Sequence, residues 1–136
     1  RHAGVLGRLG TPEALGALRQ LLEGSEPALR ILALWGLAPA RDPEDAERAR
    51  MLLGVEHAGI RKAACMHLGR SGLRAAVPDL ISRLVDSVRG VATNALWALR
   101  AISALELGPH PDLWRRWWEG AREVGEIESP RNRDDL

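Results

Sequence analysis

The chain has 136 residues, is 46% hydrophobic and 27% charged, and carries a formal net charge of +1. That length suits one domain with a real core, and the near-zero charge gives no global pull toward nucleic acid or an anionic membrane. A single cysteine, Cys65, excludes an internal disulfide and a multi-cysteine zinc site, and no apolar run is long enough to span a membrane.

In chain order, the first expected helices are Arg1–Leu9 and Pro12–Glu23. Thr11 is placed to cap the second, with Pro12 at the first helical position, where a missing N–H does no harm. Leu15, Leu18 and Leu22 recur at helical spacing, with Leu21 beside them. The pattern next predicts Pro27–Ala38, with Leu29, Ala33, Leu34 and Leu37 on one side, and then Pro43–Leu53 capped by Asp42. Glu44 and Asp45 would sit in its first turn, where the helix dipole favours anions, with Glu47 on a solvated face. A third pair reads as His57–Leu68 and about Ala75–Val85, with Pro78 confined to the first turn of the latter. A fourth opens at Ser87, a cap candidate, and runs to about Leu105. After the breaker ELGPHPD (106–112), a last helix covers Leu113 to about Val124. The polar, non-periodic tail 125–136 predicts disorder.

These helices repeat. RILALWGL (30–37), RKAACMHLG (61–69) and RGVATNALWAL (89–99) share an arginine, a small residue at +3 and a leucine at +7. HAGVLGRLG (2–10) fits the frame with His2 in the arginine place. The anchors His2, Arg30, Arg61 and Arg89 are 28, 31 and 28 residues apart, a period that indicates stacked helix pairs. The stretch VEHAGIRKAACMHLGRSGLRAAVPDLISRLVDSVRGVATNALWAL (55–99) resembles the HEAT-like repeat family, the short bacterial type also seen in phycobilin lyases. The second unit departs, with Ala38-Pro39 where Leu-Gly is expected. The resemblance implies an all-α, right-handed α-solenoid of about four helix pairs over residues 1–124, its second helices lining a concave surface. A solenoid needs covered ends. The open first helix therefore predicts further repeats or another domain before Arg1, or self-association there.

The chain has no Phe or Tyr, yet WRRWW puts three of its five tryptophans at Trp114, Trp117 and Trp118. With Ala121 they form one helical stripe, opposite Arg115, Arg116, Glu119 and Arg122. This two-faced form predicts a capping helix with the tryptophans in the core, and Trp35 and Trp97 read as packing between units.

Catalytic patterns are lacking. His2, His57, His67 and His110 are scattered, without the His-Glu pairs by which deoxyhypusine hydroxylases, a HEAT-repeat enzyme class, hold two irons. No phosphate loop or nucleophile motif is present, and Cys65 reads as an inert core thiol. No cofactor, metal or catalytic residue is therefore expected.

Charge is uneven. Residues 57–105 carry Arg61, Lys62, Arg70, Arg74, Arg83, Arg89 and Arg100 against only Asp79 and Asp86. Acid–arginine pairs (Glu26 with Arg30, Glu56 with Arg61, Asp86 with Arg89) mark the unit junctions and read as ties between units. This leaves Arg70, Arg74, Arg83, Arg115, Arg116 and Arg122 as candidates for contacting a partner. The expected function is a non-catalytic protein-interaction or scaffold module that binds another protein, such as one with an acidic segment, through the concave surface. Two alternatives stand beside it: a nucleic-acid-binding or DNA-repair HEAT-like protein using the basic middle, and a bilin-lyase-like chaperone of a cofactor protein.

Overall fold

A computed structural model describes residues 10–128. The expected first helix, Arg1–Leu9, lies outside the described residues, as do positions 129–136 of the tail. The described residues are all-helical, with no strand: α1 Pro12–Glu23, α2 Pro27–Leu37, α3 Pro43–Met51, α4 Ala58–Ser71, α5 Val77–Arg83, α6 Arg89–Ser103 and α7 Pro111–Glu128. Short 3₁₀ turns at Ala38–Ala40, Leu52–Gly54 and Arg74–Ala76 link some of them.

Local chemistry accounts for most helix starts. The Thr11 hydroxyl accepts from the Ala14 N–H at 3.2 Å, and an Asp42 carboxylate oxygen accepts from Glu44 N–H at 2.8 Å. A proline stands in the first two positions of α1, α2, α3 and α5, so Pro78 falls where it does no damage. Two starts differ from expectation. His57 precedes α4 and caps it, its Nδ1 accepting from Ile60 N–H at 3.3 Å. Ser87 does not cap α6: Val88 holds the cap position without a side-chain cap bond, and Asp86 Oδ1 takes the Val88 N–H at 2.9 Å in the turn just before the helix. At the far end, α7 continues through Glu128, past the tail boundary expected after Val124.

Helix α4 is the centre of the molecule, packed against both α2 and α6, with α3 also against it. Nine of its fourteen residues are buried, which explains why its sequence lacks a clean polar face. Helix α1 packs on α2, α3 on α4, and α5 on both α6 and α7. Among helices that follow one another in the chain, those that pack are thus offset by one from the pairs delimited by the sequence frame. The buried face of α3 is made of small residues, Ala46 and Ala49, beside Asp45, which lets its backbone lie near α4. Glycines mark two other close approaches. A Cβ on Gly36 of α2 would stand 2.8 Å from Leu18 of α1, and one on Gly69 of α4 would stand 2.5 Å from Trp97 and 2.9 Å from the Ala98 backbone of α6. One continuous core runs from Leu18 and Leu22 through Leu34, Leu37, Leu68, Leu80 and Leu99 to Trp114.

Ionic ties hold the helices in register. Asp45 is fully buried, not part of a solvated face. Arg19 of α1 grips it with two bonds of 2.8 Å, and Arg48 adds one of 2.9 Å. Glu44 and Glu47 are exposed as expected. The junction arginines also tie the chain, with a shift of partner. Arg61 pairs with Asp86, 25 residues on, and its Nη1 donates to the carbonyls of Val55 and Glu56. Arg30 donates to the Leu22 carbonyl at 3.2 Å.

Candidate interaction surface

The turn that ends α4 carries the most distinctive surface chemistry. Gly72 adopts a left-handed conformation, φ +73°, and its N–H bonds the Leu68 carbonyl at 2.9 Å, closing the helix. Two residues either side of it stand Arg70 and Arg74, both exposed. Arg70 reaches toward α2, its guanidinium 5.7 Å from the Trp35 ring centre. Arg74 reaches toward α7, 5.7 Å from Trp117 and 5.8 Å from Trp118. Both are cation–π arrangements, which hold a guanidinium flat while leaving its N–H edge free for a further acceptor.

A third arginine joins them. Arg41, also left-handed at φ 53°, ends the 3₁₀ turn after α2, and its Nη2 lies 3.5 Å from where a Gly72 Cβ would be. Arg41 and Gly72 are 31 residues apart, the same spacing as Arg30 and Arg61. The edge therefore runs Trp35, Arg70, Arg41, Arg74, then Trp117 and Trp118. None of the three arginines has an ion pair among the described residues, while Arg19, Arg48, Arg50, Arg61, Arg83 and Arg115 all do.

The six arginines singled out from sequence do not form one group. Arg70 and Arg74 share this edge. Arg83 is engaged elsewhere, its Nη1 3.3 Å from Asp86 and thus in the Arg61 network. That network lies nine residues back along α4, about 13 Å from Arg70 along the helix axis. On α7, Arg115 pairs with Asp112 at 3.1 Å, and Arg116 and Arg122 are exposed. Arg41 escaped sequence reading because nothing local sets it apart; its 31-residue spacing from Gly72 was the available signal.

The tryptophans divide as well. Trp114 is fully buried, and its Nε1 donates to the Gly108 carbonyl at 2.7 Å. Trp117 and Trp118 are half-buried, edge-on or tilted in their contacts along the stripe, and show their remaining surface beneath Arg74. Trp35 is 51% exposed and Trp97 is 43% exposed, so neither is enclosed by its neighbours. Next to Trp35 lies a shallow apolar depression of about 250 Å³, lined also by Gly10, Leu15, Gly36, Pro39 and Ala40.

Two groups that could do chemistry, Cys65 and His67, are buried in the core. Burial pushes the Cys65 thiol up to about 12, so it is not a thiolate nucleophile at neutral pH. His67 is fully buried, with Nδ1 2.8 Å from the Leu34 carbonyl, and burial lowers its pKa. The described residues contain no grouping of three or more His, Cys, Asp or Glu side chains able to hold a metal ion. No helix among them is long and apolar enough to cross a membrane. No family model matches the chain, and no curated protein matches it.

Proposed function

We propose that this chain is a non-catalytic protein-interaction module, built as a right-handed α-solenoid of HEAT-like helix pairs. The side-by-side packing of α2, α4 and α6, with α1, α3 and α5 beside them, supports the repeat reading. In this reading α7 covers the end of the stack through Trp114, while Trp117 and Trp118 serve both the cap and the surface. The partner is another protein, met on the side formed by the second helices. The observation that carries this is Arg74, an exposed arginine without a carboxylate partner, held over two half-buried tryptophans of α7. Arginine and tryptophan are the residue types that most often dominate protein interfaces, and a shallow repeat surface suits a protein better than a small substrate.

The test uses the chain as bait in a nuclease-treated lysate of its source, beside a variant carrying Arg74→Glu, Arg116→Glu and Arg122→Glu. None of these changes breaks an ion pair among the described residues. A protein retained in constant proportion by the parent and lost by the variant supports the module. Retention of nucleic acid alone, from an untreated lysate, overturns it in favour of the nucleic-acid alternative.

A further inference from the structure

We infer that the Arg41–Arg70–Arg74 edge is a receptor for a short acidic segment that carries an apolar residue beside its carboxylates. The inference deepens the interaction reading above and rests on it. Three independent features meet here. The first is unsatisfied positive charge: three exposed arginines lie around one turn with no ion pair among the described residues. The second is preorganisation. Trp35 holds Arg70, and Trp117 with Trp118 holds Arg74, so less side-chain freedom is lost when each meets an oxygen pair. Carboxylates suit the free edge of a guanidinium, which presents two parallel donors. The third is the apolar depression against Trp35, about 250 Å³, the size of one or two aliphatic side chains.

Charge distribution selects a peptide over a nucleic-acid strand. The cationic cluster is local, in a chain whose formal net charge is only +1 and whose α3, α5 and α7 carry exposed acids, Glu44, Glu47, Asp79, Asp112, Glu119 and Glu123. A phosphate backbone, charged at every step, needs a longer run of positive charge than three arginines supply. A segment with two or three carboxylates and one leucine or similar side chain would touch only the edge. Arg70 and Arg74 then bind carboxylates, Arg41 bridges between them, and the aliphatic side chain enters the depression beside Trp35.

The probe is a labelled twelve-residue peptide with four Asp or Glu residues flanking a Leu-Leu pair. Its controls are the same peptide with Asn and Gln in place of the acids, and a twelve-nucleotide oligothymidylate. Binding is read by anisotropy and by tryptophan emission. The acidic peptide binds, the amide peptide does not, and affinity falls at least tenfold in Arg41→Gln/Arg70→Gln/Arg74→Gln, whose melting temperature stays at the parent value. Arg89→Gln, at an exposed arginine away from this edge, leaves the affinity unchanged. Equal binding of the acidic and amide peptides, or equal binding to parent and triple variant, overturns the assignment, as does tighter binding of the oligonucleotide than of the acidic peptide. If the lysate partner is retained equally by the triple variant, the edge assignment fails and the interaction module stands. If the oligonucleotide binds and no protein partner is captured, the module itself fails.

Discussion

Arg61 and Asp86 form a two-point ion pair across 25 residues, Nε to Oδ2 at 2.9 Å and Nη2 to Oδ1 at 3.0 Å. The Asp86 carboxylate is 2% exposed and also receives Arg83 and the Val88 N–H. Hydrogen bonding from Arg61, before any other influence, holds the Asp86 carboxyl below its ordinary range. One side chain thus holds the turn that leads into α6, fastens it to α4 and neutralises two arginines. Asp86→Asn keeps the size and loses the charge, leaving Arg61 without its counter-ion. The melting temperature of this variant falls by roughly 6–10 °C at pH 7. The depressed carboxyl is deprotonated in the folded state at pH values where the unfolded chain is already protonated. Its stabilisation is therefore present above the unfolded aspartate value and is lost as pH falls below about 4. Thermal melts of parent and variant between pH 7 and 3 check both points: the two curves converge at the acid end.

His67 supplies a second, milder pH dependence. Its Nδ1–H donates to the Leu34 carbonyl, joining α4 to α2, and its Nε2 is buried with no hydrogen-bond partner among the described residues. A proton added at Nε2 would be buried without an acceptor, and burial accordingly lowers the pKa, opposed by the Leu34 bond and by the charge of Asp45. The unfolded chain takes up a proton near the ordinary histidine value of about 6.5, and the folded chain does not. Stability is complete above that value and declines as pH falls from about 6.5 toward 5. His67→Phe keeps the ring and removes the titrating group. Its melting temperature is lower than the parent's at pH 7.5, because the Leu34 carbonyl loses its donor, and the slope between pH 7 and 5 disappears. A slope that persists in the variant assigns the effect to another group.

Helix positions were legible because they depend on neighbours in sequence. Thr11, Asp42 and the prolines at helix starts act within one turn, and the Leu18–Leu22 and Leu34–Leu37 stripes follow from a single helix period. What sequence could not supply was rotation between helices. Asp45 looked like a dipole complement, and only the approach of α1 brings Arg19 onto it. Arg61 looked paired with Glu56, but its side chain takes the Glu56 backbone carbonyl and the carboxylate of Asp86, 25 residues on. The tryptophan stripe was visible as a stripe. That its outer two rings lie under Arg74 depends on how α7 meets the turn after α4, which no local pattern encodes.

Gly69 and Gly16 make opposite responses to the same change. Both stand inside helices, where alanine is favoured over glycine by about 1 kcal/mol. At Gly16 of α1 an added Cβ meets nothing among the described residues within 4 Å, so Gly16→Ala stabilises by about 0.5–1 kcal/mol. At Gly69 the Cβ meets Trp97 and the backbone of Ala98, which cannot swing aside as a side-chain tip could. Gly69→Ala forces α4 and α6 apart and costs about 1–2 kcal/mol after the helix gain is credited. Urea titrations of the two variants separate in opposite directions from the parent. A stable Gly69→Ala protein contradicts the close packing of α4 on α6.

Trp114 anchors the last turn of the architecture. It is the largest fully buried side chain, and its indole N–H reaches back to the Gly108 carbonyl in the connection between α6 and α7. That connection is held from its other side by Arg100, whose Nε donates to the Leu107 carbonyl at 3.0 Å. Trp114→Ala removes an indole from the core and leaves the Gly108 carbonyl unpaired, a loss of about 3–5 kcal/mol. Trp117→Ala and Trp118→Ala empty less of the core because both rings are half-exposed, and each costs about 1–2 kcal/mol, near the typical value for a substitution. The fluorescence consequence separates the roles. Loss of Trp114 removes the most blue-shifted component of the emission, while loss of Trp117 or Trp118 removes the component that Arg74→Ala also shifts. Denaturation curves followed by emission at two wavelengths for the three variants test the division. Equal destabilisation by all three would mean that the stripe is buried as one unit.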